Sequence, residues 1–187
     1  MTAPVHFYCL ASEDWQGAVR LEQAREASAA FTVDWWRPAW RQPFPPGRAD
    51  PRVMAYTPMM AAGMFASRDY AMVMLRAGDG KIAHSSLVMP AFARFPFMAP
   101  GDVQIGATQT DPAFRGRGLA VRAIDEVVAA MHRPGRRFWY LTDDSNQPSI
   151  AVIRKAGFSL AGHGSKLPRL GARALGYYAI TEPANGH

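Results

Sequence analysis

"TDPAFRGRGLA" (residues 110–120) stands where a run with strand character, "VQIGATQT" (103–110), gives way to a helical one. Asp111 and Pro112 end the strand, and residues 115–120 make the turn into the helix. A helix N-terminus carries N–H groups with no partner inside the helix and a partial positive charge. Gly116 and Gly118 omit the Cβ atoms that would hold a ligand away from those groups, while Arg115 and Arg117 add full charges. The combination fits an anion, with phosphate or pyrophosphate as the natural occupant. Glycine also serves turns that need only a positive φ, so both readings stand at this point. Two familiar phosphate loops are absent. G-x-x-x-x-G-K-[ST] does not occur, and Gly116 and Gly118 do not extend to G-x-G-x-x-G because position 121 is Val.

Working outward, the helix after the turn places Ala120, Ile124, Val127, Val128 and Met131 on one face, with Arg122, Asp125 and Glu126 off it. "RPG" (133–135) stops it. "RRFWYLT" (136–142) reads as a strand, and a short helix, "SIAVIRKA" (149–156), begins near Pro148 and closes at Gly157. "FSLAGHGSK" (158–166) and "ALGYYAIT" (174–181) form a last strand pair. Upstream, "DYAMVMLRAGDGKIAHSSLVMPA" (69–91) gives two extended runs around "AGDGK", a hairpin signal. "FARFPFMAPGD" (92–102) is a connector. Gly106 weakens the strand that follows and marks a bulge or a close approach of backbone.

The first part of the chain carries less information. "VHFYCLA" (5–11) reads as a strand. Ser12 is expected to cap a helix running toward Ala29, with Trp15, Val19, Leu21 and Ala24 on one side. "WWRPAWRQPFPPGRADP" (35–51) suits a packed irregular loop or broken helix, serving as a hydrophobic plug or as a wall of an acceptor pocket. Antiparallel hairpins followed by strand, helix and strand predict an α/β (α+β) fold. Its central sheet is mixed and mostly antiparallel, with six or seven strands and flanking helices.

Composition bounds the function. The 187 residues make one domain (1–187), nearly half apolar, with net charge +6. Only Lys81, Lys155 and Lys166 are lysines, so the positive charge is mostly arginine, whose planar fork suits phosphate. No block of five or six basic residues indicates a nucleic-acid arm. No stretch of about 18 apolar residues spans a membrane, and the N-terminus lacks the pattern of a secretion signal. Cys9 is the single cysteine, which excludes an internal disulfide and a cysteine-based zinc site and suits the cytoplasm.

The turn also matches [QR]-x-x-G-x-[GA] at Arg115, Gly118 and Ala120. "NQPSIAVIRKAGF" (146–158) supplies a second motif, an asparagine, a short helix and a K-x-G-F ending. In this order and spacing the chain resembles the GNAT superfamily of acyl-CoA-dependent N-acyltransferases, most strongly over 103–164. The resemblance implies that the strand at 103–110, the family's fourth, and the one at 136–142, its fifth, splay apart. The pantetheine arm of acetyl-CoA, a co-substrate, would lie between them against Gln109 and Thr110. The pyrophosphate would sit on Arg115, Gly116, Arg117, Gly118, Leu119 and Ala120. Asn146 would either touch the arm or cap its helix. An amine would attack the thioester directly in a ternary complex, a reaction that needs a neutral amine, N–H donors for the oxyanion and a proton for the leaving thiolate.

The chain departs from the family at Ile153, where many members place the tyrosine that protonates the thiolate. Tyr140 is the substitute candidate, with a core aromatic as its other reading. For the base, the fourth strand offers Gln104 and Thr108 but no carboxylate. Asp102 precedes that strand, and Asp143 and Asp144 end the fifth. His84 lies on the neighbouring third strand and has the side chain best suited to take an ammonium proton near neutrality. The catalytic candidates are therefore His84, Tyr140 and Asp143. Cys9 reads as a small buried residue, not an acyl carrier. The segment 81–118 also looks like GNAT members of surface-polysaccharide and amino-sugar assembly, which points to an amino sugar as acceptor. The expected partners are acyl-CoA and a small amine, with a homodimer open, and no metal, nucleic acid or membrane. The other readings are an acyl-CoA sensor without catalysis and a basic nucleic-acid-binding domain.

Overall fold

The computed structural model describes residues 4–47, 51–169 and 172–184. In chain order these hold β1 (Val5–Ala11), α1 (Ala18–Ala27), β2 (Thr32–Trp36), α2 (Pro51–Ala61), β3 (Ala71–Arg76), β4 (Ile82–Pro90), β5 (Val103–Thr110), α3 (Leu119–Met131), β6 (Arg137–Asp143), α4 (Gln147–Lys155), β7 (Ser159–Arg169) and β8 (Ala172–Pro183). The strands form one eight-stranded sheet in the order β2-β3-β4-β5-β6-β1-β7-β8. Every neighbouring pair is antiparallel except β5 and β6.

That one parallel junction is short. It pairs Val103 with Phe138, Gln104 with Trp139 and Ile105 with Tyr140, and the ladder ends there. On the other side of β5 the register with β4 shifts between Ser85 and Leu87, so β5 carries an extra residue. Ala107 absorbs it with φ of 46°, the left-handed region that non-glycine residues avoid. A bulge bends its strand, and here the bend carries β5 away from β6. The irregularity expected near Gly106 is thus present, with the positive φ at its neighbour.

Each sheet face has its own core. On one, Leu75, Val88, Ile105 and Phe138 pack with Ile124, Val127 and Val128 of α3 and Ile150 and Ile153 of α4. On the other, Phe7, Met72, Leu87 and Trp139 meet Phe95 and Met98 of the connector and Tyr56 and Met60 of α2. The expected α3, α4 and the hairpin β3–β4 are where the periodicity put them.

The expected strand at 5–11 is present as β1, but the stretch from Ser12 to the end of α2 differs from expectation. Ser12 caps no α-helix. It starts a 3-10 turn (Ser12–Asp14), is buried, and its hydroxyl accepts from the backbone N–H of Arg133. The helix begins six residues later, with Gly17 before it. A Cβ at Gly17 would stand 2.1 Å from Trp15 Nε1 and 2.5 Å from Asp125 Oδ1, so no larger residue fits beneath this corner. In α1 only Leu21 is buried, and Val19 is 65% exposed. The helix docks by charge instead. Arg20 makes a bidentate pair with Asp125 at 2.8 and 2.6 Å, and Arg25 a second with Glu126 at 2.9 and 2.6 Å. This is why Arg122, Asp125 and Glu126, read as lying off the apolar face, are buried: α1 covers them.

Within 35–51, Trp35 and Trp36 close β2, an edge strand that brings the sheet to eight strands rather than six or seven. Trp36 plugs the core and donates from Nε1 to the Gln42 carbonyl at 3.0 Å, whereas Trp40 is 98% exposed. Residues 48–50 of this stretch lie outside the described residues. The helix α2 follows, opening at Pro51, a residue favoured at the first helical position that the reading of 35–51 as a loop or broken helix did not use.

Candidate functional site

A cavity of about 670 Å³ opens where β5 and β6 part. Thr108, Gln109 and Thr110 of β5 form one wall and Tyr140 of β6 another. Residues 114–121 form the floor, and the first turn of α4, with Asn146, Pro148 and Ser149, closes the far side.

The floor is the turn whose sequence called for an anion. Asp111 accepts from the Ala113 backbone N–H at 2.8 Å and so starts the single 3-10 turn (Pro112–Phe114). Gly116 and Gly118 have φ of 77° and 72°, so both need glycine for backbone reasons. Apart from their own chain neighbours, no residue comes within 4 Å of where their Cβ atoms would stand, so both also leave the space above the turn open. The two readings of these glycines hold together. No side chain caps α3 at Gly118, and its first-turn residues Leu119, Ala120 and Val121 line the cavity. Arg115, Arg117 and Lys155 add positive charge around the same space. Arg117 is steadied over the Phe114 ring at 5.7 Å, and Phe114 meets Phe31 edge to face. An open cradle, an uncapped helix start and three cations fit a pyrophosphate.

All nine residues expected to touch acyl-CoA, from Gln109 to Asn146, line this one cavity. Asn146 Oδ1 accepts from the Ser149 backbone N–H at 3.2 Å, so it caps α4 from within the lining. Lys155 and Thr108, which also line it, lie inside stretches the sequence singled out but were not assigned to acyl-CoA.

The catalytic candidates are placed differently from one another. Tyr140 lines the cavity, 5% exposed, at the rung where β5 and β6 separate. Asp143 is outside the lining. It accepts from the Ser145 hydroxyl at 2.5 Å and backbone at 3.0 Å, and these bonds, the hydroxyl's first, hold its carboxyl below the usual range. Asp144 pairs with His6 of β1. Asp102 is committed to the sheet's other end, where its carboxylate accepts from Arg137, Trp139 Nε1 and the Ala99 N–H. His84 is fully buried on β4, between the hydroxyls of Thr110 and Ser86. Burial pushes the Cys9 thiol up to about 11, opposite Trp139 and away from the cavity lining. Among the described residues no group of three or more His, Cys, Asp or Glu side chains is placed to hold a metal, and no helix is long and apolar enough to cross a membrane.

The model of the acetyltransferase (GNAT) family matches residues 29–158, well over half of the chain. The chain belongs to the GNAT acetyltransferase family. Solved GNAT structures share its fold. A protein from Novosphingobium aromaticivorans described as a GNAT-family acetyltransferase is 20% identical over 87% of this chain and 62% of its own, with TM-score 0.50. The glucosamine N-acetyltransferase region of a fungal multi-domain β-N-acetylglucosaminidase is 10% identical over 84% of this chain and 20% of its own, with TM-score 0.56. A tandem GNAT protein of the clavulanic acid pathway is 16% identical over 85% and 50%, with TM-score 0.51. The chain therefore spans less than two thirds of each of these neighbours. No curated protein matches it.

GNAT members commonly use a tyrosine where this chain has Ile153, and the structure shows what replaces it. Ile153 is fully buried between α4 and the sheet. Ile153→Ala is expected to lower unfolding free energy by about 2–5 kcal/mol in urea titrations. Turnover by the folded fraction should hold, and a fall of about a hundredfold, the size of a lost acid–base group, would contradict this placement.

Proposed function

We propose that this chain transfers an acetyl or other short acyl group from acyl-CoA to a primary amine by direct attack within one ternary complex. The observation that carries this reading is the parting of β5 from β6 directly above the open, arginine-flanked start of α3. Acetyl-CoA supplies the activated acyl carbon. Leu119, Ala120 and Val121 present helix-start N–H groups to the pyrophosphate, with Arg115, Arg117 and Lys155 balancing its charge. Beyond Ile105, β5 has no ladder partner on β6, so its backbone edge at 108–110 can pair with the pantetheine amides. Tyr140, at the fork, gives a proton to the leaving thiolate. Asp143 shapes the turn that brings Asn146 to the cavity, and His84, buried behind the β5 wall, is the base on which the positive charge given up by the amine comes to rest.

The acceptor is an amino sugar in this reading, supported by the resemblance of 81–118 to amino-sugar GNAT members. The test is thiol release from acetyl-CoA with glucosamine, spermidine and a tripeptide with a free N-terminus. Turnover with glucosamine alone supports the assignment. Turnover with another amine only moves the acceptor class, and no thiol release with any amine defeats the transfer reading. Tyr140→Phe should lower kcat by roughly 10²-fold, the low end for a general acid, with KM for acetyl-CoA unchanged. Equal turnover of the two proteins would mean that water protonates the thiolate.

A further inference from the structure

His84 is out of reach of any molecule in the cavity, yet a continuous line of hydroxyls connects it to the wall. His84 Nε2 lies 3.0 Å from Ser86 Oγ, and Ser86 Oγ lies 3.1 Å from Thr108 Oγ1. On its other side, His84 Nδ1 lies 2.8 Å from Thr110 Oγ1. Thr108 and Thr110 line the cavity and are half-buried, whereas His84 and Ser86 are fully buried. The arrangement depends on both strands. His84 and Ser86 share a face of β4 by alternation, and Thr108 and Thr110 share a face of β5. The bulge at Ala107 sets the register that brings the two pairs side by side.

We propose that Thr108, Ser86 and His84 form a proton relay that draws the proton of the acceptor ammonium out of the cavity, with Thr108 as the catalytic residue and Ser86 and His84 acting through it. The inference rests on the acyl-transfer reading of the same cavity. Uptake of a proton from the cavity requires one direction of these bonds. Nδ1–H donates to Thr110, which leaves Nε2 as an acceptor from the Ser86 hydroxyl. Ser86 Oγ in turn accepts from the Thr108 hydroxyl, and Thr108 Oγ1 is left to accept from the ammonium. As an N–H bond of the ammonium breaks, nitrogen keeps the electron pair that attacks the acyl carbon. Thr108 gains that proton and passes its own to Ser86, and Ser86 passes its own to Nε2. The imidazolium that results remains bonded to Thr110. As the adduct collapses, its nitrogen gives up a second proton to water in the cavity, and Tyr140 recovers from that water the proton it gave the thiolate. Once product has left, the relayed proton returns along the same line to water. Thr110 thereby has a positioning role, holding the histidine in the tautomer the relay needs.

Conservative variants test this without emptying the core. With acetyl-CoA and the best amine of the panel, Ser86→Ala and Thr108→Val should each lower kcat by roughly 10²-fold or more while KM for acetyl-CoA stays within about twofold. Thr108→Ser should restore most of the rate. The double variant should be no slower than either single one, because both remove links of one chain. A folded Ser86→Ala protein with wild-type kcat, or losses that add in the double variant, would overturn the relay while leaving acyl transfer intact. A wild-type protein that releases no thiol with any amine would instead remove the reading beneath it. Independently of turnover, ¹⁵N spectra of labelled histidine should show His84 protonated at Nδ1 when neutral. A proton on Nε2 would also overturn the relay, since Nε2 could not then accept from Ser86.

Discussion

Gly118→Glu is expected to abolish the rise in melting temperature that CoA gives the unaltered protein. A ligand bound only by the native state stabilises it by about 2.7 kcal/mol at a hundredfold excess over Kd. For a chain of this length each kcal/mol moves the melting temperature by roughly 2–4 °C. The substituted carboxylate would project from the start of α3 into the open space over the turn, beside Arg115 and Arg117. There it repels the pyrophosphate and competes for the same N–H groups. Losing two charge-assisted hydrogen bonds, at about 1.5–3 kcal/mol each, corresponds to roughly 10²- to 10⁴-fold in affinity. The φ of 72° also costs any side chain about 1–2 kcal/mol, so the unliganded protein should melt lower. Gly118→Ala separates the two effects, because it carries the strain without the charge and should keep part of the shift. An undiminished shift in Gly118→Glu would place the phosphates elsewhere.

Asp125→Ala should destabilise the fold strongly. Its side chain is fully buried and accepts from Trp15 Nε1 at 3.0 Å and twice from Arg20. Arg20 also donates to the Ala156 carbonyl at 3.2 Å, so one carboxylate ties the start of the chain to both α3 and the end of α4. Removing one member of a buried pair leaves the other uncompensated, at about 3–5 kcal/mol. The Arg20 side chain is 31% exposed and recovers some hydration, which puts the expected loss toward the low end of that range. Urea titration measures it, and a loss under about 1 kcal/mol, the value of an exposed pair, would show that α1 contributes little to the fold. Acyl-CoA binding should survive wherever the protein is folded, because none of these groups lines the cavity.

The difference between these two sites tracks what could be read in advance. The turn at 110–120 was legible because its chemistry is local. Asp111, Pro112, Gly116 and Gly118 act on their own backbone within a few residues, and the resulting φ angles match. The helices α3 and α4 were legible for the same reason, since an apolar stripe or a capping asparagine is complete within one element. The helix α1 was not. Its anchors, Arg20 and Arg25, look like solvated charges until α3 presents Asp125 and Glu126 across 105 and 101 residues of chain.

By itself, then, the sequence determined the glycine turn at 110–120, the hairpin β3–β4, the strand–helix order around them and the family they belong to. Tertiary structure alone decided three further things. It put β1, the first strand, between β6 and β7, more than a hundred residues away in the chain. It opened the cavity by ending the β5–β6 ladder at Ile105 and bending β5 at Ala107. It also joined His84 and Ser86 on one strand to Thr108 and Thr110 on another. The physical reason is common to all three. Strand partners and register are set by pairing between distant segments, and a shift of one residue moves every side chain to the opposite face. No local pattern of hydrophobicity or turn residues encodes which histidine will meet which threonine.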